Sequence, residues 1–186
     1  MKGKQVSVRY ARSLFEFALE QKALDSVHAD ILLLKKVSGE NKEFRFLLKS
    51  PIVQTEKKAK ILSLIFGGSV SKLTLAFLLL LVRKRREQYI PDIAEEFIDQ
   101  YNEHSNILPV EVKTATPLTE EIKKEMLAVM KKYTDATIEL SGTVDPELIG
   151  GFVINWKDKQ YDASVSHEIE KLRRAIAKIN LYVKEI

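Results

Sequence analysis

The 186-residue sequence contains no cysteine. That excludes disulfides, thiolate metal sites and cysteine nucleophiles, and it suits a reducing compartment. The three histidines, His28, His104 and His167, are far apart and share no metal-ligand spacing. The longest nearly unbroken apolar run, Leu73 to Val82 with Thr74 inside it, is ten residues. A membrane span needs about 20, so this run reads as a buried helix and not as a crossing. The N-terminal stretch MKGKQVSVRYARS lacks the apolar segment of a secretory signal.

Reaction motifs are missing too. Phe66-Gly67-Gly68-Ser69 and Ile149-Gly150-Gly151-Phe152 lack the lysine and the spacing of a phosphate loop. No dinucleotide fingerprint, paired-histidine metal helix or nucleophile elbow is present. Glu95-Glu96 and Glu120-Glu121 fall on patterned helices, where charged residues ordinarily form the solvated face. The basic run Arg83-Lys84-Arg85-Arg86 has only Tyr89 as an aromatic neighbour. It reads as a cationic helix end favoured by the dipole, not as a nucleic-acid surface. The expectation is no catalytic residue, no cofactor, no metal, no nucleic acid and no small-molecule substrate.

What is present is ordinary globular material: 45% hydrophobic, 30% charged, net charge +4. Val6, Tyr10, Leu14, Phe17 and Ala18 recur at helical spacing and predict a helix over 5–22. A second starts near Asp25 as N-cap and stops at Gly39; a third carries Phe44, Leu47 and Leu48 before Ser50-Pro51. Thr55 can cap a fourth, ended by Gly67-Gly68. Ser71 can cap a fifth, running through LTLAFLLLLV, and a sixth begins near Pro91. After Asn106 the period changes to two. Leu108, Val110 and Val112, then Ile138, Leu140, Gly142 and Val144, then Phe152, Ile154 and Trp156 read as strands. Pro117-Leu118-Thr119 opens a helix with Ile122, Met126, Val129, Met130 and Tyr133 between the first two, and Lys157-Asp158-Lys159 reads as a hairpin turn. The last helix, with Asp162 as its cap, places Ile169, Leu172, Ile176, Ile179 and Val183 on one stripe. The fold expected is mainly α: a six-helix bundle over 1–105, then a small α+β domain over 106–186 ending in an amphipathic helix. Two features go beyond a plain core: a fifth helix apolar on nearly every side, which is either the bundle's central helix or one with an apolar stripe meant for a partner, and a last helix whose stripe is spaced like a coiled-coil seam or else packs on its own small sheet.

The segment Tyr10-Ala11-Arg12-Ser13-Leu14-Phe15-Glu16-Phe17-Ala18 resembles the opening of the delta subunit of bacterial F-type ATP synthases, the oligomycin-sensitivity-conferring protein family. A second segment carries the resemblance further. It runs Val144-Asp145-Pro146-Glu147-Leu148-Ile149-Gly150-Gly151-Phe152, followed by Tyr161-Asp162-Ala163-Ser164-Val165 and then Leu172-Arg173-Arg174. The signature positions are Asp145, Pro146, Leu148, Gly150, Gly151, Asp162, Ser164, Leu172 and Arg173. His167-Glu168 departs from the family's frequent glycine-arginine pair, and Lys84-Arg85-Arg86 stands where a glycine is common.

The resemblance implies a non-catalytic stator subunit of a proton- or sodium-translocating synthase, peripheral on the cytoplasmic face of the bacterial inner membrane. It implies that the bundle holds the N-terminal segment of an alpha subunit between its first and fifth helices. Carried onto this chain, that groove uses Tyr10, Ser13, Leu14 and Phe17, with Leu75, Leu78, Leu79 and Val82. The C-terminal domain would meet the b subunits of the peripheral stalk. The alternatives are a generic helical adaptor and, behind it, an RNA-binding protein.

Overall fold

A computed structural model describes residues 2–115, 119–131, 134–156 and 159–182. The expectations placed on Pro117, Leu118, Tyr133, Lys157, Asp158 and Val183 lie outside the described residues, as do those on the side chains of Ile122, Val129 and Ile179. The chain divides into two compact units, Met1–Ser105 and Asn106–Ile186.

The first unit is helical throughout: α1 (Lys2–Glu20), α2 (Leu24–Glu40), α3 (Lys42–Lys49), α4 (Thr55–Phe66), α5 (Lys72–Arg83) and α6 (Ile90–His104), with a 3-10 turn at Glu87–Tyr89 before the last. α6 packs chiefly on α1 and α2, and α4 packs on α5. Each helix contributes its buried stripe to one core: Ala11, Leu14 and Ala18 from α1, Val27, Ile31 and Leu34 from α2, Phe44 and Leu48 from α3. Leu62 and Phe66, Leu78, Leu81 and Val82, and Ile93 and Phe97 complete it.

Local chemistry sets the helix ends, not always at the expected residue. Ser71 caps α5 by accepting from Thr74 N–H at 3.2 Å, and Pro91 sits in the first turn of α6. Asp25 is not the N-cap of α2; it lies in the first turn, where a carboxylate favours the helix dipole, and accepts from the Tyr101 hydroxyl at 2.9 Å. Gly39 does not stop α2 either. The helix runs one residue further, and Asn41 both follows its end and caps α3 through Phe44 N–H. Thr55 is the first residue of α4, with Gln54 before it making no side-chain cap bond.

The second unit is a four-stranded sheet with two helices. β1 (Ile107–Thr114) connects through α7 (Glu120–Met130) to β2 (Thr137–Val144), its parallel neighbour; β3 (Gly151–Trp156) and β4 (Lys159–Ser164) form an antiparallel pair before α8 (Val165–Tyr182). β3 lies antiparallel to β1, so the sheet order is β2-β1-β3-β4. The strands' alternation puts Leu108, Val110, Val112, Phe152, Ile154 and Trp156 on the face that buries Met126 and Met130 of α7. The mainly helical expectation, with a small α+β second part, holds. Among the described residues no helix is long and apolar enough to cross a membrane.

Candidate functional site

On α1, residues Ser7, Ala11, Leu14 and Ala18 face the core. Tyr10, Ser13 and Phe17 fall on one flank of that stripe by the 3.6-residue period. Tyr10 is half-buried, Ser13 is exposed with its hydroxyl donated back to Arg9 C=O at 3.0 Å, and Phe17 is 49% exposed. Leu14, expected beside them, is in the core.

On α5 the core side is Thr74, Leu78, Leu81 and Val82. Leu78 and Val82 therefore support the helix from below and present no surface in the free chain. One side-chain pair tells which flank of α5 turns to α1. The Tyr10 and Phe77 rings meet edge to face, with centroids 6.5 Å apart. At about 100° per residue, Leu73 and Leu80 share the Phe77 side, whereas Leu75 and Leu79 sit about 160° around the helix from Phe77. Leu80 is 43% exposed, and Leu73 and Phe77 are half-buried. The surface between α1 and α5 is thus made by Tyr10, Ser13, Phe17, Leu73, Phe77 and Leu80. Sequence reasoning missed the last three because α5 is apolar all round, so its pattern marks no face.

In the second unit the signature residues form one backbone junction. Asp145 and Pro146 occupy the first two positions of a turn closed by Leu148 N–H to Asp145 C=O at 3.2 Å, and the Asp145 carboxylate accepts from Glu147 N–H at 3.0 Å. Gly150 C=O accepts from Val165 N–H, the first residue of α8, at 3.1 Å. Gly151 has φ +79°, and a Cβ there would collide with the Ala163 carbonyl oxygen. Only glycine combines that conformation with that approach.

Asp162 is not the cap of α8, because it belongs to β4. Its carboxylate accepts from Ser164 N–H at 2.8 Å, and the buried Ser164 hydroxyl caps α8 by accepting from His167 N–H at 3.2 Å. Burial pushes the Asp162 carboxyl up, but the hydrogen bonds from Ser164 and the cationic forms of His167 and Lys171 outweigh it, leaving the group below its ordinary value. From this junction α8 begins, and its Val165, Ile169, Leu172 and Ile176 are all at least 41% exposed. Their spacing of four, three and four is that of a helix–helix seam. Leu172 belongs to this stripe, and Arg173 is exposed beside it.

An apolar stripe left open on each of two folded units is the build of a chain that docks other proteins. Comparison with known proteins names the family. The model of the ATP synthase delta (OSCP) subunit family matches residues 6–176. The ATP synthase subunit delta of Cytophaga hutchinsonii is 38% identical over 93% of this chain and 94% of its own length. That of Chloroherpeton thalassium is 33% identical over 92% and 94%, and that of Christiangramia forsetii is 30% identical over the full length of both. Among solved structures, a chain of the Toxoplasma gondii mitochondrial ATP synthase hexamer shares the fold with a TM-score of 0.69 at 21% identity, over 92% of this chain and 97% of that one. The chain belongs to the ATP synthase delta (OSCP) subunit family, and so to the structural subunits of that enzyme complex.

Proposed function

We propose that this chain is the non-catalytic joint of the synthase stator, peripheral on the cytoplasmic face of the bacterial inner membrane. Its first unit holds the N-terminal segment of an alpha subunit as an added helix. Its second unit receives the b subunits of the peripheral stalk along α8. The observation that carries the reading is the open apolar flank between α1 and α5, bridged by Tyr10 and Phe77 and continued by exposed Phe17 and Leu80. A helix laid in such a groove buries its own apolar face against these rings. The mechanism is mechanical: rotation in the head produces torque on the catalytic hexamer, and the joint must hold that hexamer against it. Apolar burial suits this task, because affinity of this kind resides mostly in slow dissociation.

The test is calorimetric titration with a synthetic peptide of the alpha subunit's N-terminal residues from the same organism. The expected result is one-to-one binding with a negative heat-capacity change. Phe17→Asp and Leu80→Asp, both on exposed positions, should weaken it at least about tenfold by placing a charge in a desolvated contact. Absence of binding at micromolar concentration would overturn the alpha-segment reading; binding unchanged in both variants would put the peptide elsewhere.

A further inference from the structure

The groove between α1 and α5 has two unlike ends. A methyl group added at Gly3 would meet the Tyr89 ring at 3.2 Å, so the first turn of α1 lies beside the turn that follows α5. Tyr10 meets Phe77 near the middle of both helices, which therefore run antiparallel. One end of the groove is made by the start of α1 and the end of α5. The other is made by the end of α1 and the start of α5.

Charge separates the ends. At about 100° per residue, Lys84 falls about 20° from Phe77 around α5, and Arg83 about 60° from Leu80 on the side away from the core. On α1, Arg9 falls about 40° from Ser13. All three cations are exposed, and among the described residues none of them makes an ion pair. The carboxylate of the turn that follows α5, Glu87, is buried against Lys58 at 2.6 Å and does not offset them. The C-terminal dipole of α5 offsets about half of one charge. Beyond Phe17 the other end carries Glu20 on α1 and Lys72 on α5, both exposed and opposite in sign, so it has no excess of either.

We propose that the helix seated in this groove carries an acidic turn, placed beside Arg9, Arg83 and Lys84. The inference rests on the alpha-segment reading and adds the chemistry by which the groove selects and orients that segment. The apolar flank alone accepts an amphipathic helix in either direction, because Tyr10, Phe17, Phe77 and Leu80 respond to burial and not to sequence. Unlike ends remove that freedom. An occupant with carboxylates in one terminal turn gains charge-assisted contacts only when that turn lies at the cationic end. The same helix reversed brings those carboxylates toward Glu20 and gives up the three cations. A segment that is basic at this end is repelled. Arg9, Arg83 and Lys84 are thus specificity residues. Because they stand at the exposed rim, they act mainly on the rate of association, while the rings between them govern dissociation.

The test is binding of the full chain to the alpha subunit's N-terminal peptide from the same organism, measured from about 20 to about 300 mM salt. Binding should weaken as salt rises, chiefly through slower association. The double variant Arg83→Glu, Lys84→Glu should raise the dissociation constant about tenfold at low salt. The double variant Lys57→Glu, Lys60→Glu makes the same change in net charge on the exposed side of α4 and should leave it within about twofold. Glutamate at the end of α5 also opposes its dipole. A second peptide, with its carboxylates replaced by lysine, separates the two causes. It should bind the Arg83→Glu, Lys84→Glu chain more tightly than the unaltered chain, which a weakened helix cannot produce. No binding of the first peptide to the unaltered chain overturns the alpha-segment reading and this inference with it. Binding indifferent to salt and to the reversal at Arg83 and Lys84, or a lysine peptide that does not prefer the reversed chain, overturns this inference alone and leaves the apolar groove standing.

Discussion

The carboxylate of Asp30 on α2 accepts the Thr74 hydroxyl of α5 at 2.7 Å, and its same oxygen accepts Ser71 N–H at 2.9 Å. Asp30 is 8% exposed and Thr74 fully buried. A carboxylate from one helix thus satisfies the N-terminal donors of another and sets where α5 lies in the bundle. Asp30→Ala should cost about 2–3 kcal/mol in urea unfolding, because it strands a buried hydroxyl and an amide. Asp30→Asn, which keeps an acceptor, should cost about half as much. Alpha-peptide affinity should fall with Asp30→Ala although residue 30 is not on the proposed contact, since the α5 flank moves with its helix.

Lys58 and Glu87 form a buried ion pair at 2.6 Å, and Lys58 also donates to Leu48 C=O at 3.1 Å. This ties α4 to the turn before α6 and to the end of α3. Lys58→Met leaves the Glu87 carboxylate without its counterion and should destabilise by about 3–5 kcal/mol. The double variant Lys58→Met, Glu87→Leu should recover most of that loss, because no uncompensated charge is left. A double-mutant cycle on unfolding free energies checks both statements.

Asp162 supplies a pH dependence whose sign follows from its environment. Its carboxyl is held below the ordinary value in the folded chain, so the ionised form is the one that stabilises. That contribution is present above the unfolded-state value, about 4. It is lost as pH falls through the lower folded-state value. Asp162→Asn should therefore be less stable than the unaltered chain at neutral pH, and the gap should close below about pH 4. Thermal unfolding across that range measures it; a gap independent of pH would show that the hydrogen bond to Ser164, and not the charge, matters.

Helix existence was legible wherever a polar face interrupted an apolar stripe. α1 and α6 are such cases, with Leu14 and Phe97 buried at the spacing their neighbours predict. Strand existence was equally legible, because Val110 and Val112 alternate with polar residues and are buried on one face. The ends were harder. Asn41 serves two helices at once, and Ser164 takes the capping role that Asp162 suggested, because neighbouring backbone geometry decides which polar side chain reaches a free N–H.

The candidate docking surface divides along the same line. α1 has a polar side, so spacing put Tyr10 and Phe17 on its apolar stripe, while their place in a groove, with Ser13, came from the family resemblance. α5 between Leu75 and Val82 has none, and periodicity cannot orient a helix that is apolar in every direction. Its orientation depends on Asp30 at one end and on the contact of Phe77 with Tyr10, both made by residues distant in sequence.

By itself, then, the sequence determined the period of the elements that have a polar side and the mainly helical first part, because these depend on neighbours a few residues apart. Only the tertiary structure decided which flank of α5 meets α1, which of Leu75, Leu78, Leu79 and Val82 reach the surface, and that β2 lies at an edge. Those outcomes depend on packing between residues distant along the chain, and local periodicity carries no record of which neighbour a face will meet.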